Sequence, residues 1–423
     1  MSSIKRNMSV IVSNQFLTAL ADSIYDITIF WYVYHESQSA LLASLITALS
    51  FTTQILIGPF LGVIADRKNP KQTMRIGFLL MTVVGVSLSV FYFFLADYFL
   101  ILVYLGLLIH DVGMFLIAPA KNKLLPRIVG MEKIVHVNGY ITSTSSAATI
   151  LGNAISGFVI ALIGFVGVML THSVLYILAS LLLSFLVNLS SQERKRDDQP
   201  EQPEATQTQE EKKKSSYMKE IKEAFVIIKA NRPLFKTIML GMLLNIASIV
   251  GPLFVVLVSE QYNGSAVTFG WFNVFGVAAG IIAGFTTKNL VQKMKPFLLF
   301  GVAVTVAGFM FVILAVLTNK LIGMAIYFML SYMLTIFNIA FSSLLITLVE
   351  DQYRGRVMNL TAALSALFIP AFTLLGGLLA DVYSASILYI FAGGWIVLFG
   401  VIIFFDKDVR KIRFYETGNK SYA

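Results

Sequence analysis

Charged residues cut this chain into runs of membrane length. After Arg6 a stretch interrupted only by Asp22 and Asp26 reaches Glu36. Further uncharged runs cover 37–65, 76–96, 98–120 (broken once, by Asp111) and 134–192. The second half repeats the habit with 237–259, 261–287, 296–319, 321–349, 357–380 and 382–405. A helix crosses a bilayer with roughly 20 apolar residues. The run 134–192 is long enough for two and divides near Gly164 to Gly167, so twelve spans are expected. Composition agrees: 57% of the 423 residues, about 241, are apolar. Only 13% are charged, against about 25% in soluble domains. A soluble globule of this size cannot hide that much apolar surface. The absence of Cys excludes a disulfide scaffold, and basic residues flanking membrane helices explain the +9 net charge without nucleic acid.

Lys and Arg placement sets the orientation. With a cytoplasmic N-terminus, the inner loops receive Lys5, Arg6, Arg67, Lys68, Lys71, Arg75, Lys121, Lys123, Arg127 and Lys133. It also receives the basic residues of the central loop, Lys288, Lys293, Lys295, Arg354, Arg356, Lys407, Arg410, Lys411 and Arg413, while the outer loops hold only Lys320. This is the positive-inside pattern, and it puts both termini in the cytoplasm. The first span is too long and too polar for a cleaved secretory signal.

The central loop differs in kind. Residues 191–216 are charged, Pro- and Gln-containing and nearly free of apolar groups, a composition expected to stay disordered. In the following stretch Met218, Ile221, Phe225 and Ile228 recur at helical spacing opposite Lys219, Glu220, Lys222 and Glu223. That pattern predicts an amphipathic helix at the cytoplasmic interface. The chain is therefore read as an all-α polytopic membrane protein with a six-helix bundle over 1–190, a linker over 191–232, a second six-helix bundle over 233–406 and a tail over 407–423. The halves also match weakly at an offset of about 220 residues, as expected of a duplicated unit. Gly62 to Arg67 corresponds to Gly284 to Lys288, Asn138 to Asn359, and Gly152 and Gly157 to Gly376 and Gly377. Glycines at such places let helices approach closely.

These features lead to a family. GPFLGVIADRKNPKQTMR (58–75) resembles the loop between helices two and three of the major facilitator superfamily, with Gly62, Asp66, Arg67 and Lys71 at matching places. Asn69 stands where that pattern prefers Gly and is expected to take the left-handed turn that Asn tolerates. Residues 118–140, 223–236 and 350–360 are similar to corresponding stretches of the macrolide-efflux-type branch, and the resemblance runs from the first span to the last. Two features depart from it: span four carries no Arg, and span five has Gly152-Asn153 where a Gly-Pro antiporter motif would stand. The resemblance implies secondary active transport by alternating access, with a small amphipathic substrate such as a macrolide exported in exchange for protons. It further implies a bacterial plasma membrane location, a monomer, no enzyme activity and no cofactor beyond the proton gradient.

Charges inside a bilayer cost at least about 2.5–3.5 kcal/mol at a helix centre and so mark function. Asp22 and Asp26 are one helical turn apart, Gln15 extends their polar stripe, and span four adds His110 and Asp111. In the superfamily, helices one, four, seven and ten line the central cavity, so the resemblance brings the three carboxylates to one aqueous space. Substrate and proton binding is assigned to Asp22, Asp26, Asp111 and Gln15. Asp26 and Asp111 lead, because the Asp22 region looks like a general family position. A cationic or amphipathic substrate competes with a proton for such a carboxylate, which couples the two fluxes. Gly62, Asp66, Arg67, Arg354 and Arg356 are assigned to an inner gate, Asp66 meeting the N-terminus of span eleven. His110 is read as a satisfied packing histidine, and Phe30 to Tyr34 mainly as an interfacial aromatic belt. The four His, at 35, 110, 136 and 172, are scattered, so neither a metal site nor a catalytic constellation is expected, and no nucleotide loop is present. The same fold also suits export of an endogenous metabolite, such as a siderophore or lipid-like molecule, or a membrane receptor that moves nothing.

Overall fold

Where a bilayer supplies no hydrogen-bonding partner, an apolar run satisfies its own backbone as helix. In the computed structural model this is what the uncharged runs do. The structure describes residues 3–187, 225–349, 368–407 and Arg410, together with Tyr353, Val357, Met358, Leu360, Thr361 and Leu364. Among them are helices and 3₁₀ turns and no strand. They fall into two compact units, one formed by Met1–Gln202 with Val258–Val274, the other by Pro203–Leu257 with Phe275–Ala423.

In the first unit α1 spans Ser3–Ser37. Ser39 caps α2 (Ala40–Leu56) by accepting from the Leu42 N–H. α3 (Gly58–Arg67) follows at a bend of 52°, with Pro59 in its first turn. Proline has no N–H to continue the preceding helix, and the chain turns there. α4 (Pro70–Phe94) begins after Asn69, whose φ of −64° and ψ of 119° are extended, not left-handed as expected. The reason is local: a residue before proline is pushed out of the helical region, and the Asn69 side chain caps the Lys71 and Gln72 N–H groups instead. α5 (Phe99–Val129) continues through Pro119 and Pro126 and stops at Gly130, φ 78°. Lys121 and Lys123 therefore lie on this helix and not in a loop. α6 (Ile134–Leu182) is interrupted at Gly164, φ 63° and ψ −170°, the division the sequence indicates. A straight helix of its 49 residues would run about 74 Å, more than twice the hydrocarbon thickness.

α1 packs mainly on α6, and α4 on α5 and α6. At the α1–α6 contact Gly152 is obligatory in size, since a Cβ there would fall 2.7 Å from that of Ser23. The core joins Ile11, Met74, Phe78, Met81, Leu124 and Tyr176.

In the second unit Asn231 caps Arg232–Leu244, which passes into a 3₁₀ segment, Asn245–Val250. Pro296–Val316 packs against Ala385–Phe405 and Lys320–Leu348 over Leu299, Phe300, Ile336 and Ile396. Gly308 and Gly393 make the first contact possible, because a Cβ on Gly308 would lie 2.7 Å from the Gly393 carbonyl oxygen. Of the expected interfacial helix, 225–230 is helical and Ile228 is buried with Leu234, Ile238 and Leu345. Met218 to Glu223 and the 191–216 linker lie outside the described residues.

Among the described residues nine helices are long and apolar enough to cross a membrane, or ten if the bent α2–α3 pair is one span. The tally differs from twelve for visible reasons. Met131–Phe185 counts once although Gly164 breaks it, and the 357–380 run enters only as Ile369–Val382.

Candidate functional site

α1 carries polar residues toward α5 and α6 along one stripe. Asn14 donates to the Ala179 carbonyl at 2.7 Å, fixing α1 on α6. Two turns further on, the Tyr176 hydroxyl donates to Asp22 Oδ1. His110 Nε2 of α5 lies 3.8 Å from the same oxygen. The His110 ring stacks on Tyr25, with centroids 4.3 Å apart and planes at 3°, and His172 of α6 closes the group 4.9 Å from Tyr25. Tyr25, His172 and Tyr176 are fully buried, while Asp22 keeps 23% of its side chain exposed. His110 thus packs as expected but is not satisfied, since its Nε2 has no hydrogen-bond partner.

The other predicted residues are distributed differently. Asp26, one turn beyond Asp22, is exposed. Asp111 is buried, hydrogen-bonded to Ser50 of α2, and its Oδ2 has no partner. Gln15 accepts from Lys121 Nζ at 2.7 Å and donates to Ser145 Oγ at 3.3 Å, so it ties α1 to α5 and α6. Lys121, assigned to a loop by its charge, is half-buried on α5 and acts electrostatically on Asp22. The structure therefore gathers Asp22 with His110, His172, Tyr25 and Tyr176. Sequence reasoning missed the last three and the inward role of Lys121. The 172/176 spacing is a single helical turn, a signal that was available. A partner on another helix was not.

The aromatic cluster at the end of α1 is not a lipid-facing belt. Trp31 and Tyr34 are buried. Trp31 stacks on His35 at 4.5 Å, and the Tyr34 hydroxyl donates to Glu260 Oε1 at 2.6 Å. Both rings meet 258–274 of the same unit, Trp31 at Phe269 with centroids 6.4 Å apart, and the buried Tyr34 hydroxyl needs an acceptor. Of the gate assignment, Gly62 sits in α3 with open space where a Cβ would project, and Arg67 ends that helix, exposed. The Asp66 side chain, Arg354 and Arg356 lie outside the described residues.

Long apolar helices in two compact units, with ionisable groups held inside one of them, define a polytopic α-helical membrane protein. The chain belongs to the Major Facilitator Superfamily, whose family model matches residues 11–372. It is similar to Macrolide efflux protein A of Streptococcus pyogenes, 20% identical over 96% of this chain and 98% of that protein. Macrolide efflux protein A of Enterococcus faecalis is 21% identical over 78% of this chain and 98% of its own length. Among solved structures, a bacterial homologue of the iron transporter ferroportin in an inward-facing state superposes with a TM-score of 0.74 at 15% identity, covering 95% of this chain and 98% of that one. The nucleoside transporter NupG gives 0.71 at 13% identity, covering 95% and 98%. The family and these neighbours are transporters of small molecules, not enzymes.

Proposed function

We propose that this protein exports amphipathic, drug-like compounds of the macrolide type across a bacterial plasma membrane in exchange for protons, as a monomer with both termini in the cytoplasm. The observation that carries this reading is the trio of carboxylates in the first unit: Asp22 and Asp26 one turn apart on α1, and Asp111 buried on α5. Ionised carboxylates among apolar helices are costly. Protonation removes that cost, and so does a cationic group of a substrate, so each displaces the other from the same oxygen. The proton gradient then drives export without any cofactor. Likeness to two macrolide efflux proteins, over 96% and 78% of this chain, supports the substrate class.

The test is drug accumulation in a pump-deficient bacterial host. Expression should lower accumulation of a labelled macrolide, a protonophore should restore it, and Asp26→Asn or Asp111→Asn should abolish the effect while membrane levels of the protein stay normal. Export that is indifferent to the protonophore would overturn the proton coupling. If no macrolide is moved, comparing culture media of deletion and parent strains identifies an endogenous cargo instead.

A further inference from the structure

We propose that Asp22, His110 and His172 form a binding site for one divalent ion of the zinc, cobalt or nickel kind inside the first unit. The ligand atoms these three residues offer all lie within 4.8 Å of one another. Two imidazoles and one carboxylate are the donor set that borderline-soft ions prefer, whereas calcium and magnesium take oxygen. The second observation is what the donors lack. His172 is fully buried with neither ring nitrogen hydrogen-bonded, and His110 Nε2 is likewise buried and unpartnered. Leaving a buried polar atom unsatisfied costs about 1–3 kcal/mol, so three unpartnered imidazole nitrogens beside a carboxylate favour a ligand that takes up their lone pairs. A cation bound to one nitrogen of each ring removes the deficit at His110 Nε2 and at one of the two unpartnered His172 nitrogens.

The surroundings suit the task. Around zinc, with bonds of about 2.0–2.2 Å, neighbouring ligand atoms sit about 3.3 Å apart. The observed spread closes to that through rotation of the two imidazole side chains. Tyr25 stacks on His110 and lies 4.9 Å from His172, so one ring borders both imidazoles. Tyr176 holds the carboxylate through its hydroxyl, the kind of outer contact that orients a metal-binding carboxylate. Asp22 is the partly exposed member and gives the ion its way in, and water supplies the fourth ligand. An ion held on Asp22 leaves Asp26 and Asp111 as the carboxylates that exchange protons for cargo.

Cobalt titration of the purified full-length protein in detergent tests the site. One Co²⁺ per chain should bind with the visible absorption of a four-coordinate centre and be displaced by Zn²⁺. His172→Asn and His110→Asn should each abolish saturable binding, and His136→Asn, at an exposed position, should leave it intact. X-ray absorption at the zinc edge of the loaded wild-type protein needs no folded variant and should report two imidazoles in the coordination shell. No saturable uptake by the wild-type protein, an all-oxygen shell, or unchanged binding in His172→Asn would each overturn the proposal.

Discussion

The two units bury polarity differently. In the first, the buried Asn7, Asn14, Ser23 and Ser173 bond between helices, while Thr28 and Ser156 bond within their own and Ser44 and His172 have no side-chain hydrogen-bond partner. Among the described residues of the second unit, the buried polar side chains are Thr237, Thr287, Thr361 and Thr373. Thr237, Thr287 and Thr373 donate to carbonyls within their own helix. Bonds between helices there come from half-buried groups such as Trp395, which donates to the Leu243 carbonyl at 2.8 Å. The second unit is held by shape, with glycines where backbones meet. The first is held by shape plus directional bonds, and among the described residues only it carries ionisable groups that are buried and unpartnered. The two units have thus divided their labour, chemistry in one and packing in the other.

The largest effect that sharpens this comparison is steric. Gly308→Val should drive a side chain into the Gly393 carbonyl and Val397, destabilising the second unit by about 3 kcal/mol. Thermal unfolding in detergent should show this as a markedly lower midpoint, and an unchanged one would mean the helix pair is not tightly packed. Next comes Asn7→Leu in the first unit. Asn7 donates at 2.8 Å to the Ile128 and Val187 carbonyls and accepts from the Val187 N–H at 3.0 Å. Its loss should cost about 2 kcal/mol, toward the upper end for hydrogen bonds between membrane helices. The smallest effect belongs to Thr287→Val. Its hydroxyl serves only its own helix, at Ala283, so stability should change by no more than about 0.5 kcal/mol. If Thr287→Val costs as much as Asn7→Leu, the contrast between the units fails.

Much of the architecture was legible because membrane spans are written locally. An uncharged run must become helix, and Gly164 was visible as the point where 134–192 had to turn. Local signals misled where a neighbour decided the outcome. Asn69 serves as a cap because Pro70 follows it. Trp31 and Tyr34 look like interfacial aromatics until 258–274 packs over them. Lys121 was read as a loop charge because the helix it sits on runs on through Pro119 and Pro126. The candidate site divides the same way. Asp22, Asp26 and Asp111 announce themselves by their cost in a bilayer, whereas His172 and Tyr176 are unremarkable until α6 lies against α1.

By itself the sequence determined the class of the protein, its spans, and which few carboxylates deserve explanation, because hydropathy and charge act on each segment alone. Only the tertiary structure decided which of those acids has company. His110 and His172 stand on α5 and α6, 62 positions apart (172 minus 110), and no periodicity brings their rings to one carboxylate. That juxtaposition depends on how α1, α5 and α6 pack, down to the Gly152 contact that sets the approach of α1 to α6.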